Sequence, residues 1–289
     1  MDTDAAPRLA GHLGVLGPDK PLFRHSAAPD PAAQIAFLAR HGFAGVADNY
    51  LLLRAPQEQA RIGQLARQHG LEMASFVHDP LNWNQPTWNI TGATARAALA
   101  EALEASLAAA GRSGSRTLSV VTGRTDAPHA EQLRAMAENL RFAADRAATA
   151  GVALCVETTH PAFAPGELIE RLEDALTVVD MASHPHVRLN FDIGHLALLG
   201  EDVLAAIPRC SGKIGMVQAA DVPPPPAIGR VEPGAGVLNW PAIFTALKKS
   251  GYTGLIELEL EPAAPGAEGE AALLEQVRRF LPACAKVCE

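Results

Sequence analysis

Four oxygen-bearing side chains end separate apolar runs in this chain. Glu157 follows VALCV, Asp192 follows VRLNF, Gln218 follows KIGMV, and Glu259 lies in LIELEL. If each run is a strand of one parallel barrel, the strand ends converge on one mouth. Carboxylates crowded there repel one another unless a cation neutralises them. Such an oxygen-rich set suits one divalent metal ion, Mg²⁺ or Mn²⁺, and a mixed set also admits Zn²⁺ or Co²⁺. A single acidic residue after a strand is as readily a helix cap, so the argument rests on four consecutive strands together. Glu257, Glu259 and Glu261 alternate with Leu258 and Leu260. The three glutamates therefore share a strand face, and periodicity does not say which of them reaches a metal. Inside a closed barrel Glu257 calls for a buried cationic partner.

Other polar residues stand near these ends. His195 lies three residues past Asp192 in FDIGH, a spacing that lets one turn bring both into a site. Arg230 sits in the glycine-rich loop GRVEPGAG, and a guanidinium suits a carboxylate or phosphate. The plain alternative is a surface arginine paired with Glu232. His160 in ETTHP and His78 after the third strand are further candidates for substrate contact. Trp83 and Trp88 fit better as shields of the mouth or as packing for their loop than as reacting groups.

The elements that must position these groups alternate along the whole chain. Strands are expected at 8–16, 43–48, 71–77, 116–123, 152–158, 187–192, 213–221 and 253–260. Helices are expected at 30–41, 54–70, 92–110, 128–150, 165–182, near 200–208, at 239–250 and at 267–285. Eight strand–helix units predict an α/β fold, a (β/α)₈ TIM barrel in a single domain over 1–289, with its site in the loops after the strands. An open doubly wound sheet usually shows a glycine-rich first turn, and GHLGVLG (11–17) does not fit that pattern. The run Pro223–Pro226 is a stiff segment in the loop after the seventh strand.

Composition narrows the function. The 289 residues are 48% hydrophobic and 19% charged, enough for a large core, and the net charge of −8 argues against a nucleic-acid partner. The N-terminus lacks the pattern of a signal peptide and no stretch reaches membrane-span length, so the expected location is the cytoplasm, without membrane association. Cys155, Cys210, Cys284 and Cys288 read as reduced and structural. Pairing into a homo-oligomer through exposed helices is compatible with such a barrel.

VALCVET, NFDIGH, MVQAAD, GRVEPGAG leading into LNWPAIFTAL, and GYTGLIELELEP together resemble the hydroxypyruvate isomerase and sugar epimerase branch of the xylose isomerase-like TIM barrel superfamily. SFVHDPLNW resembles it more loosely. The resemblance covers nearly the whole chain. It implies metal ligation by Glu157, Asp192, Gln218 and Glu259, choosing Glu259 by its spacing to Pro262. It also implies proton transfer by Glu157 and Glu259, and substrate contact by His195 and Arg230. The implied reaction is isomerisation or epimerisation of a small hydroxy-carbonyl compound through a cis-enediolate. The alternatives are a metal-dependent lyase or dehydratase, an endonuclease IV-like phosphodiesterase, and a non-catalytic barrel protein.

Overall fold

The computed structural model describes residues 6–262 and 264–280. Nine parallel strand segments form one sheet: β1 Leu9–His12, β2 Gly45–Ala47, β3 Glu72–Met73, β4 Ser75–Val77, β5 Thr117–Val120, β6 Ala153–Glu157, β7 Val187–Asp192, β8 Ile214–Ala219 and β9 Ile256–Leu258. Their order is β3-β2-β1-β9-β8-β7-β6-β5-β4. Segments β3 and β4 are two halves of the expected third strand, parted at Ala74. The break has a local cause, because the Ala74 carbonyl accepts from Ser115 Oγ. Pairing to β2 continues past it, with Ala74 N donating to Val46 O at 2.9 Å and Asp48 N to Ser75 O at 3.2 Å. Eight strand positions thus close the ring, as the sequence pattern predicts.

The helices cover the outside: α1 Pro31–Arg40, α2 Pro56–Gln68, α3 Ala93–Ser113, α4 His129–Thr149, α5 Leu172–Ala182, α6 Ile193–Leu198, α7 Val203–Arg209, α8 Trp240–Lys249 and α9 Gly266–Arg278. Local sequence sets several of their starts. Asp30 caps α1 by accepting from Ala32 N at 3.0 Å, with Pro31 in the first turn. Asn239 does the same for α8 through Ala242 N at 3.2 Å. Within the barrel wall Leu258 and Leu260 are buried on one face while Glu257 and Glu259 are buried on the other.

Several boundaries differ from the sequence reading: β1 stops at His12 rather than at residue 16, β9 spans Ile256–Leu258 rather than 253–260, and α9 stops at Arg278 rather than at residue 285. Residues 165–171 are loop, not helix, because Glu167 bridges Gly123 in antiparallel fashion and Leu168 N donates to Thr122 O at 2.8 Å. The short helix α6 was not expected; Asp192 caps it. Cys284, Cys288 and the expected end of the last helix lie outside the described residues. Cys155 and Cys210 are free thiols and buried. No described helix is long and apolar enough to cross a membrane.

Close packing of α2 on α3 depends on Gly63. A Cβ there would sit 2.2 Å from the Ser113 carbonyl oxygen and 2.7 Å from its carbon, both backbone atoms. Gly63→Ala is expected to cost ~1–3 kcal/mol of stability through overpacking. A urea midpoint unchanged from wild type would contradict this.

Candidate metal centre and substrate cavity

Parallel register sets two of the four strand-end residues, Asp192 and Gln218, directly side by side. Glu157 pairs with Asn190, Asp192 with Gln218, and Gln218 with Glu257. Glu259 follows one residue past β9. Asp192 divides its carboxylate between two tasks. Its Oδ1 accepts from His195 N at 2.8 Å and so caps α6. Its Oδ2 lies 3.4 Å from Arg230 Nη2. The three-residue spacing to His195 is thus one capped turn, and that turn carries the imidazole into the site.

The carboxylates are held from behind. Ser119 Oγ donates to Glu157 Oε2 at 2.7 Å. Asn49 Nδ2 donates to Glu259 Oε1 at 2.7 Å. Asn190 Nδ2 reaches both Ser119 Oγ at 3.1 Å and Gln218 Oε1 at 2.5 Å. Arg230 spans the mouth, with Nη1 3.0 Å from Glu259 Oε2 and Nη2 2.7 Å from His195 Nε2. It is therefore a buried site arginine, not a surface partner of Glu232. Phe163 lies under the guanidinium at 5.2 Å and beside the His195 ring at 5.8 Å.

Burial and like charge set the proton affinities. Burial, then the charges of Glu259 and Asp192, push the Glu157 carboxyl well above its ordinary range. Burial raises Glu259 to about 7 against the pull of Arg230. Burial works to raise Asp192 as well, but His195 and Arg230 outweigh it and hold that carboxyl low. Burial, helped by Arg230, lowers His195 to about 4, so the ring is neutral. His160 N donates to its Nδ1 at 2.9 Å, while Nε2 faces Arg230 Nη2 at 2.7 Å and Glu157 Oε1 at 3.7 Å, so an N–H donor stands against each ring nitrogen.

The donor chemistry fits a divalent cation. Glu157, Asp192 and His195 bring ligand atoms within 4.8 Å of one another, one such group among the described residues. With Nδ1 accepting from the backbone and Nε2 held against the Arg230 guanidinium, His195 has no lone pair free for a cation, so the carboxylates are the better donors. Ionised together, three buried carboxylates facing one guanidinium would leave negative charge uncompensated. Gln218 Oε1 accepts from Asn190 and retains a second lone pair. The buried Gln218 Nε2 has no hydrogen-bond partner.

Glu157, Glu259, His195, Arg230, Asn49 and Phe163 line one cavity of about 200 Å³. A larger cleft of about 330 Å³, lined by Arg188, Gly215 and Tyr252, lies at the opposite ends of the strands. Barrel chemistry sits at the C-terminal ends, where the carboxylates are.

Two expected substrate contacts are placed elsewhere. Val77 lines the cavity, so strand alternation turns the next side chain outward. His78 accordingly bonds Ser106 Oγ on α3 at 2.9 Å and packs on Trp88. The His160 ring lines a neighbouring groove with Pro223 and Val237, and only its backbone N–H serves the site. Trp83 lines the cavity, whereas Trp88 is buried. Glu257 lies deeper in the barrel than Glu259, and its partners are neutral. It accepts from Ser75 Oγ at 2.6 Å and Ser75 N at 3.2 Å, and burial raises it to about 8. The expected buried cation is replaced by a protonated acid. Glu261 pairs with Arg24 at 3.1 Å. The sequence reading missed Asn49, Ser119 and Asn190. Asn190 was legible in principle, standing two residues before Asp192 on the same strand face.

Residues 35–282 match the family model described as xylose isomerase-like TIM barrel. The chain belongs to that family. This xylose isomerase-like barrel is 30% identical over 241 residues to a 2-oxo-tetronate isomerase of Cupriavidus necator, covering 81% of this chain and 90% of the relative. It is 28% identical over 151 residues to a hydroxypyruvate isomerase of Escherichia coli, covering 52% and 57%. A solved structure of a protein named AP endonuclease, family 2, from Brucella melitensis superposes with a TM-score of 0.77 at 25% identity, over 94% of this chain and 99% of that one. The family read from VALCVET and GYTGLIELELEP is the one found, and both named relatives bear out the isomerase class.

The loop roofing the cavity carries a titration signature. Burial raises Glu167 to about 8, although Thr122 N donates to it at 2.9 Å. The folded chain then holds a proton that the unfolded chain releases in the ordinary carboxylate range. Stability from this group is present below that range and is lost as pH rises through about 8. Glu167→Gln is expected to flatten that decline, read as urea midpoints across the same window. A slope as steep as the wild type's would contradict this account.

Proposed function

We propose that this barrel is a metal-dependent isomerase of short 3-hydroxy-2-oxo acids, moving a proton at the carbon beside a carbonyl through a cis-enediolate. The supporting observation is the pairing of Glu157 and Glu259, two buried carboxylates of raised proton affinity, on the wall of a cavity that also presents Arg230 and His195. A proton acceptor for a carbon acid works best with a pKa near the operating pH, and burial brings both groups upward. The cavity, about 200 Å³, suits a small substrate. The names of the two relatives supply the acid class.

Glu157, Asp192, Gln218 and Glu259 would hold the metal, Mg²⁺ or Mn²⁺ before Zn²⁺ or Co²⁺. When bound, it supplies Lewis-acid polarisation of the carbonyl. One of Glu157 and Glu259 removes the α-proton and the other, or the same one, returns a proton to the neighbouring carbon. Asn49 and Ser119 fix which oxygen of each carboxylate is free. His195 relays the proton that leaves the substrate hydroxyl to the former carbonyl oxygen. Arg230 takes the substrate carboxylate in a two-pronged grip.

Incubation in D₂O with hydroxypyruvate and 2-oxo-tetronate tests the reading by NMR. Deuterium is expected at the α-carbon, and a product of unchanged composition. Loss of water in the product would instead mark a dehydratase, and absence of exchange would end the proposal. The net charge of −8 and the single ligand group among the described residues give no support to a DNA phosphodiesterase, although the similar Brucella protein is named an endonuclease.

A further inference from the structure

Asp221 is fully buried two residues past β8, and its carboxylate collects five N–H donors. Oδ1 accepts from Val222 N at 2.8 Å and Leu238 N at 3.1 Å. Oδ2 accepts from Gly234 N at 2.9 Å, Gly236 N at 3.1 Å and Trp240 Nε1 at 2.9 Å. The backbone of Asp221 also pairs with Val231 in both directions, at 2.9 and 2.8 Å. One side chain thereby ties the end of β8, both arms of the loop 222–238 and the first residue of α8. The segment 222–230, which carries Pro223–Pro226, becomes an excursion closed at its base by the Asp221–Val231 pairing, and Arg230 stands one residue from that closure. Gly236 is needed because a Cβ would meet Val222 O at 2.2 Å and the Asp221 carboxylate. Arg230 in turn owes its reach to Asp192 and Glu259 to the path of this loop.

We propose that Asp221 is the positioning residue of the site, acting through Arg230: it fixes the loop so that the guanidinium meets the substrate carboxylate, and it touches no substrate itself. The assignment rests on the isomerase reading only for the identity of the substrate. It predicts that loss of the Asp221 charge weakens carboxylate binding more than metal binding, and matters only while Arg230 is present.

A double-mutant cycle on D221N and R230A, in purified protein with added Mn²⁺, tests this in two ways. One readout is KM and kcat with hydroxypyruvate. The other is the calorimetric Kd for tartronate, an unreactive hydroxy-dicarboxylate. D221N is expected to raise KM and Kd about tenfold, to change kcat far less, and to add nothing in the R230A background. The Mn²⁺ affinity is expected to change by less than the tartronate Kd. W240F removes one of the five donors and is expected to move the same constants in the same direction, again only with Arg230 present. It carries the cycle if D221N does not fold. Equal effects with and without Arg230, or wild-type protein that fails to bind tartronate, would overturn the assignment. Wild-type protein that turns over neither hydroxypyruvate nor 2-oxo-tetronate, yet shows the coupled cycle in Kd, would sink the isomerase reading and leave Asp221 in this role.

Discussion

Glu259→Gln is expected to lower kcat by about 10²–10⁴-fold, the usual worth of a positioned proton acceptor. The reasoning is local. Glu259 is buried, its Oε1 is fixed by Asn49, and its Oε2 is reached by Arg230. An amide keeps the shape and one oxygen donor but cannot accept the α-proton. Far-ultraviolet circular dichroism and the urea midpoint check that the barrel survives, and metal content separates lost ligation from lost base. Deuterium exchange into hydroxypyruvate should fall together with turnover. A variant with wild-type exchange would remove Glu259 from the chemistry and shift the whole burden to Glu157.

Stripping the protein with a chelator is expected to abolish turnover, and Mn²⁺ or Mg²⁺ should restore it. Stability should fall as well, because a ligand at a hundred times its Kd adds about 2.7 kcal/mol, or roughly 5 °C in Tm for a chain of this size. The sign with pH follows from the carboxyls. Glu157 sits well above its ordinary range and Glu259 at about 7 without a cation, so binding must expel protons. Metal affinity should therefore strengthen as pH rises through neutrality. Full activity after exhaustive chelation, with metal absent by elemental analysis, would refute the metal dependence.

Much of the site was legible because strand ends in a barrel are marked by apolar runs. Glu157, Asp192 and Gln218 stand at such ends; the ladder sets Asp192 beside Gln218 and Glu157 beside Asn190, two residues before Asp192. The same signal failed for His78, since one step along a strand reverses the face and Val77 holds the inward position. It failed differently for Glu257, which shares the face of Glu259 but lies deeper in the barrel, where a neutral acid bonded to Ser75 replaces an ion pair. The reach of Arg230 had no periodic trace at all. It depends on Asp221 gathering donors from Val222 to Trp240, a tertiary arrangement that no local propensity encodes. The start of α5 was misread for the same kind of reason, because Glu167 is drawn to Thr122 N.

The seam between Gly123 and Glu167 has a consequence for engineering. Arg124 N donates to Gly166 O at 2.9 Å, so two connections far apart in sequence behave as one flap, and Phe163 rides on it. Transplanting residues 158–171 alone from a cousin enzyme would tear that flap from its hinge side. A chimera that retunes selectivity must exchange residues 121–125 in the same cut.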